Sequence, residues 1–300
     1  MYEVKYINCK VCGSDVSKFL GIRGNMEYAG VDKLAFGQEH VVTNVVRCKR
    51  CGFVYANPLI ISDIDGYADP CKYQASSSSS EDKLFNFTLN FIERFCKTGK
   101  ILDIGCGKGE FLAAARKRGW QVYGVEPSAN FVDFAAKEHG LNIKNFTLQE
   151  AGYPDNFFDV ATLNMVLEHV DEPKALIACI RRVLNDKGLL FIEVPNVDSL
   201  MLKLATIYFR LKGRDWSPLL SPTHYPFHAY GYGPSAIKCL LRMNGFDIEK
   251  VSAISSNLRG FRSDTGGTKL EKLLRAIAVK TAGLVGRGDV LVVMARKTPN

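Results

Sequence analysis

Residues 101–112 read ILDIGCGKGEFL, a short apolar run that passes into three glycines, Gly105, Gly107 and Gly109, within five positions. Glycine loses more conformational freedom on folding than any other residue, so such a cluster marks a turn that needs unusual dihedrals or bare main chain beside a ligand. The apolar run predicts a buried strand and GEFLAAARKRG a helix, which puts the glycines where a strand hands over to a helix. In an open parallel sheet, ligands bind at such turns. The spacing is G-x-G-x-G, distinct from the G-x-G-x-x-G of a dinucleotide-binding turn.

Strands and helices alternate outward from this turn. QVYGVE (121–126), LNIKNF (141–146), FDVATLN (158–164) and LLFIEVP (189–195) read as strands, and SANFVDFAAKEHG (128–140) and EPKALIACIRRVLNDKG (172–188) as helices. Upstream, residues 81–100 predict a helix ending at Gly99. Downstream come a helix at 199–212, a loop at 213–233 rich in Pro, Gly, Tyr and His, and a helix from Pro234 to Gly245. Strands at 246–255 and 288–297 bracket a basic amphipathic helix at 268–286. The expectation is an α/β fold, a Rossmann-like, seven-stranded, mostly parallel sheet with helices on both faces, since strict alternation implies right-handed crossovers.

Two C-x-x-C pairs, Cys9–Cys12 and Cys48–Cys51, are separated by 35 residues, and a glycine follows each. Two thiolates from each of two tight turns close a tetrahedral site, the ligand set of structural zinc, with iron as the alternative that sulfur tetrahedra also accept. Two separate redox pairs are the other reading of the spacing. Residues 1–73 are thus expected to form a small zinc-ribbon head, 74–83 (QASSSSSEDK) a flexible linker and 84–300 the body. Within the body, 199–233 reads as a lid or substrate region and 268–286 as a basic-helix insertion.

The formal net charge of +8 is uneven: residues 1–75 net +1, 81–198 net −3 and 199–300 net +10. The basic last third suits an anionic small molecule, an RNA or an acidic membrane surface, and equally a plainly solvated face. A head with so little excess charge argues against a nucleic-acid module. Nine cysteines, a start (MYEVKYINCK) unlike a secretion signal and no run of 18 uncharged apolar residues point to a soluble protein of the reducing cytoplasm.

With Leu102, Asp103 and Ile104 before it, the glycine turn resembles motif I, D-x-G-C-G-x-G, of the class I S-adenosylmethionine-dependent methyltransferases. Glu126, the stretch YPDNFFDVATLNMVLEHVDEP (153–173) and NDKGLLFIEVPN (185–196) follow in that family's order. The resemblance implies S-adenosylmethionine as cofactor. It implies that Asp103 supports the loop and the methionine amino group, that Gly105 and Gly107 lay main chain against the cofactor, and that Glu126 holds the ribose. Cys106, Gly109 and Pro127 belong to the same two turns, Leu148 lies where the family contacts adenine through main chain, and Asn164 lies near the amino-acid portion. An acidic residue near 147–150 often takes the adenine amino group, and Thr147, Gln149 and Glu150 share that position here. Cys106 itself is expected to behave as a small hydrophobe. A four-cysteine ribbon before such a body is similar to sugar and natural-product methyltransferases, including deoxysugar C-methyltransferases, although this chain is too short for the C-terminal domain those carry.

Methyl transfer aligns a donor and an acceptor and often removes one proton, a task suited to histidine. His169 follows the fourth strand of the family, and His224 and His228 fall in SPTHYPFHAYGYGPSAI (221–237). That segment resembles the family's H-x-x-x-F-S-x-x-x-L stretch and aligns His228 with its histidine. The order of preference as base or acceptor contact is His228, His224, His169. Tyr225, Tyr230 and Tyr232 either line the acceptor pocket or pack. The expected activity is methyl transfer to a small, phosphate-bearing acceptor, such as a nucleotide-linked sugar, glycan or natural-product intermediate. An RNA methyltransferase and a non-catalytic cofactor-binding scaffold are the alternatives. The leucines at 199–212 and 268–286, interleaved with Lys203, Arg210, Lys212, Lys269, Lys272 and Arg275, suit a lid or homodimer face more than a membrane surface.

Overall fold

The computed structural model describes residues 2–24, 42–62, 78–222, 228–255 and 286–299. Its first strands are β1 (Tyr2–Lys5), β2 (Ser17–Gly24), β3 (Val42–Cys48), β4 (Val54–Ala56) and β5 (Leu59–Ser62). β1 and β5 make an antiparallel ribbon, and β2, β3 and β4 an antiparallel meander. The chain continues through α1 (Ser78–Ile92), β6 (Lys100–Ile104), α2 (Glu110–Lys117), β7 (Gln121–Val125), α3 (Ala129–His139), β8 (Phe158–Asn164), α4 (Pro173–Val183) and β9 (Leu184–Pro195). It ends with α5 (Leu200–Leu211), β10 (Tyr230–Gly231), α6 (Pro234–Met243), β11 (Phe246–Ile254) and β12 (Val290–Lys297).

The large sheet has the order β11-β12-β9-β8-β6-β7, with β7, β6, β8 and β9 parallel and β12 antiparallel to both its neighbours. Its middle strands are buried on both faces, because alternate residues feed two apolar layers: Leu102, Leu163 and Ile192 on one side, Ile101, Val160 and Phe191 on the other. The chain leaves β6 for β7 on one flank and returns to β8 on the other. β6 is therefore the switch point of the sheet, and the glycine turn at its end opens into the crevice.

Several expectations need correction. Among the described residues the sheet has six strands rather than seven, since 141–146 contributes a single bridge, Val125 to Lys144. The reason is local. Lys144 exchanges two backbone bonds with the end of β7, after which the Asn145 side chain donates to the carbonyls of Glu126 and Pro127 and turns the chain away. α1 starts at Ser78, inside the serine-rich stretch, and ends at Ile92, short of Gly99, in tight turns closed by Phe95 N–H to Ile92 O. α4 stops at Val183, and β9 takes residues 184–188 that helical spacing had claimed.

The N-terminal strands pack on elements of the C-terminal half. β10, from the loop before α6, pairs antiparallel with β4 and becomes the edge of the N-terminal sheet. Phe53 stacks on Tyr230 and tilts against Tyr232, and one apolar cluster joins Val11, Phe53 and Tyr55 to Tyr232, Ala236 and Leu240. Arg47 pairs with Asp198 at 3.0 Å, and Lys10 with Glu172. Tyr230 and Tyr232, 3 % and 0 % exposed, are packing residues of this junction. His224, Tyr225 and the 268–286 helix lie outside the described residues, as do positions 74–77 of the linker. No helix among the described residues is long and apolar enough to cross a membrane.

Candidate active site

At the end of β6 the glycines adopt left-handed dihedrals, with φ of 66° at Gly105, 51° at Gly107 and 77° at Gly109, where Gly109 caps α2. Packing demands two of them as well. A Cβ on Gly105 would stand 2.9 Å from Val166 Cγ2, and one on Gly109 2.7 Å from Leu141 Cδ1, whereas at Gly107 it would meet no protein atom. Bare main chain thus presents itself at Gly107. The Gly105 and Cys106 amides donate to Val125 O, which ties the turn to the end of β7. Cys106 is 8 % exposed, its sulfur lies against Gly124, and burial pushes its thiol up, as a small hydrophobe requires.

Asp103 is 3 % exposed, and its Oδ1 accepts from Thr162 Oγ1 at 2.6 Å and Asn164 Nδ2 at 2.9 Å. Both donors come from β8, so pairing of β6 with β8 assembles the set, and Oδ2 carries no hydrogen bond from the described residues. Burial raises this carboxyl to about 7, against the two donors that favour its charge. On the other flank Glu126 accepts from the amides of Gly107 at 2.9 Å and Ser128 at 3.0 Å, which couples the glycine turn to the second strand. Burial pushes Glu126 up as well. Asn145 fixes the turn at Pro127, accepted by its carbonyl at 2.8 Å. The Leu148 side chain is buried in the core, and Glu150 is taken by Thr147, whose N–H and Oγ1 both donate to it. β6, β7 and β8 thus bring Asp103, Gly105, Gly107, Glu126 and Asn164 to one end of the sheet, an arrangement that could hold the cofactor the sequence implies.

β8 leaves the sheet through Met165, whose φ of 54° is unusual for a side chain other than glycine and whose N–H is held by Glu193 O at 2.9 Å. The next residue, Val166, packs on Gly105, and a single 3₁₀ turn (Leu167–His169) follows. That turn buries Glu168 to 1 % exposure and sets His169 beside it. His228 arrives from the loop before β10, held by Ser221, which donates N–H to His228 O at 3.1 Å and accepts from His228 N–H at 3.3 Å. The two rings lie 4.8 Å apart, and each Nε2 stands near Glu168 Oε1, at 4.0 Å from His169 and 3.9 Å from His228. Desolvation raises Glu168 to about 8. The structure thus joins two of the three histidines the sequence singled out. Sequence reading passed over Glu168 and Thr162, although a carboxylate next to His169 at the end of the fourth strand was the available signal for the first.

The four cysteines are buried together, with Sγ–Sγ distances of 3.4 Å for Cys9–Cys51 and 3.5 Å for Cys12–Cys48 and all four sulfurs within 4.8 Å. Thiolates around a tetrahedral ion at about 2.3 Å stand about 3.8 Å apart, so the set fits such an ion. Each turn is built alike: Gly13 and Gly52, at φ of 75° and 83°, donate to the carbonyls of Cys9 and Cys48.

Comparison with known proteins bears on the same region. A family model described as a methyltransferase domain matches residues 79–251. The ubiquinone biosynthesis O-methyltransferase of Pasteurella multocida is 33 % identical over 112 residues, 32 % of this chain and 46 % of that protein. The mitochondrial ubiquinone biosynthesis O-methyltransferase of Mus musculus is 26 % identical over 174 residues, 53 % of this chain and 44 % of that one. The chain thus spans about half the length of these curated relatives. A solved S-adenosylmethionine-dependent methyltransferase of Archaeoglobus fulgidus superposes with a TM-score of 0.50 at 22 % identity, covering 71 % of this chain and 93 % of the other. The cyclase SpnF does so with the same score and identity, covering 77 % and 86 %. Identities this low establish the fold, and a cyclase among the neighbours means that the chemistry must be argued from the site. Its matched model, its switch-point crevice and its glycine turn agree: the chain belongs to the methyltransferase-domain family.

Proposed function

We propose that the chain transfers the methyl group of S-adenosylmethionine to an oxygen of a small, phosphate-bearing acceptor, a nucleotide-linked sugar, glycan or natural-product intermediate. One arrangement carries the reading: a bare glycine turn between two buried carboxylates, Asp103 and Glu126, that abuts through Val166 a third, Glu168, flanked by two histidines. When bound, the cofactor supplies a methyl group on a sulfonium, ready for in-line displacement. Asp103 Oδ2 receives its ammonium, with Thr162 and Asn164 fixing the carboxylate in place. Gly105 and Gly107 let main chain lie against it, and Glu126 takes the ribose hydroxyls on the lone pairs its two amide bonds leave over. Glu168, His169 and His228 form the acceptor end of the site. That the curated relatives are O-methyltransferases favours oxygen as the methylated atom. The phosphate rests on the +10 of the last third, with Arg210, Lys212 and Arg214 in sequence at the end of α5.

Zinc at Cys9, Cys12, Cys48 and Cys51 is structural in this reading. Four buried thiolates leave it no open position, and the turns it ties carry β4, the strand on which β10 hangs close to His228. Reduced thiolates suit the cytoplasm. The test is S-adenosylhomocysteine formation over hydroxyl acceptors with and without phosphate, repeated on a chain with Arg210, Lys212 and Arg214 each changed to Glu. Turnover confined to phosphate-bearing acceptors, with a sharply raised KM in the reversed chain, supports the proposal. Equal turnover without phosphate removes that part, and cofactor binding with no product from any acceptor leaves only a scaffold.

A further inference from the structure

From the arrangement around Glu168 we infer that Glu168, His169 and His228 form a site for a divalent first-row metal ion, separate from the four cysteines. Three observations converge. One donor atom from each of the three side chains lies within 4.8 Å of the others. Both oxygens of Glu168 are buried and accept no hydrogen bond from the described residues, which for a carboxylate 1 % exposed is costly unless a cation faces it. Third, both imidazole Nε2 atoms approach the same oxygen, at 3.9 and 4.0 Å. That is too far for a hydrogen bond, and two equal approaches are the pattern of ligands around a common centre rather than of a carboxylate orienting one histidine.

Ligands at about 2.1 Å from an ion stand about 3.0 to 3.4 Å apart, so closure needs each ring to move by under about 1 Å, within the reach of a small side-chain rotation. The side chains of both histidines are 24 % exposed, which leaves the far side of the ion open to an acceptor or water. Two imidazoles and one carboxylate accept manganese, iron, cobalt or nickel as well as zinc, whereas the four thiolates favour zinc over the harder manganese.

The site deepens the proposed methyl transfer and for its chemical role rests on it. An acceptor hydroxyl on the ion's open side becomes more acidic and loses its proton to bulk water. The O–CH3 bond then forms as the S–CH3 bond breaks, the sulfonium becomes a neutral thioether, and the metal keeps its oxidation state. The imidazoles serve as ligands rather than as free bases.

The experiment titrates Mn²⁺ into the full chain loaded with a single equivalent of zinc, which the four thiolates take, and follows it by electron paramagnetic resonance. Thiolates disfavour manganese, so zinc content stays constant while this site is read. Expected is one equivalent of Mn²⁺ per chain, bound at least about tenfold more weakly after Glu168→Gln, a change that keeps the side chain's shape. His228→Ala, on a part-exposed loop residue, gives a second reading with little risk to folding, and the same loss is expected. No bound equivalent in the wild-type chain, or equal binding by wild type and both variants, overturns the site. If that occurs while S-adenosylmethionine still binds and turns over, methyl transfer survives and the metal does not. If manganese binding is lost with Glu168 but no acceptor turns over, the site stands and the methyl-transfer reading fails.

Discussion

Asp103 offers a measurement in which function and stability pull in opposite directions. Its carboxyl has an ordinary value of 3.8, and burial at the centre of the sheet raises it to about 7 in the cofactor-free fold. Between those two values the native chain holds a proton that the unfolded chain has lost. Stability from this group is therefore present at low pH and is lost as pH rises toward 7. From pH 5.5 to 8 the span below the folded value is about 1.5 units, which at about 1.4 kcal/mol each is about 2 kcal/mol. Asp103→Asn keeps an acceptor for Thr162 and Asn164 but cannot ionise. Urea unfolding of the cofactor-free proteins at both pH values should show the wild type losing about 2 kcal/mol more than the variant. Glu126 and Glu168, also raised by burial, are common to both proteins and cancel in the difference. The same proton competes with the cofactor's ammonium. Calorimetry should find wild-type affinity for S-adenosylmethionine falling about tenfold for each pH unit below the folded value, and Asp103→Asn binding weakly without that slope. Parallel pH dependence of stability in the two proteins would refute the reasoning, because it would mean that Asp103 is charged in the empty fold.

Gly105→Ala combines a left-handed φ of 66° with a Cβ 2.9 Å from Val166, and should cost about 1–2 kcal/mol from the dihedral alone while abolishing the heat of cofactor binding. Adding Val166→Ala relieves the contact but not the dihedral, so only part of the loss should return by thermal unfolding. Phe53→Ala removes the ring on which Tyr230 and Tyr232 rest, at a cost of about 3–5 kcal/mol. In steady-state kinetics it should raise the acceptor KM, through the loop that carries His228, with cofactor affinity unchanged. Lost cofactor affinity would contradict the placement of that loop at the acceptor end.

Local spacing decided much of what this chain does. Three glycines in five positions between an apolar run and a helical one mark the turn from strand to helix, and the two C-x-x-C-G units each form a closed turn, because a turn is satisfied by residues a few places apart. Period-2 and helical patterns likewise located β6 to β9 and the helices between them. Misreadings fell where neighbours along the chain do not decide. Residues 141–146 have a strand's apolar alternation, yet Asn145 ends their pairing after one bridge, and residues 184–188 continue a helical pattern while the sheet claims them. Tertiary structure alone decided that Asp103 is held by Thr162 and Asn164 some 60 positions away, that β10 adds an edge strand beside β4 to the sheet of β2, β3 and β4, and that Glu168 and His169 meet His228. These contacts link segments whose sequences carry no mark of one another. They exist because strand order and the burial of a shared core bring the segments together, and a sequence read along its length has no access to that geometry.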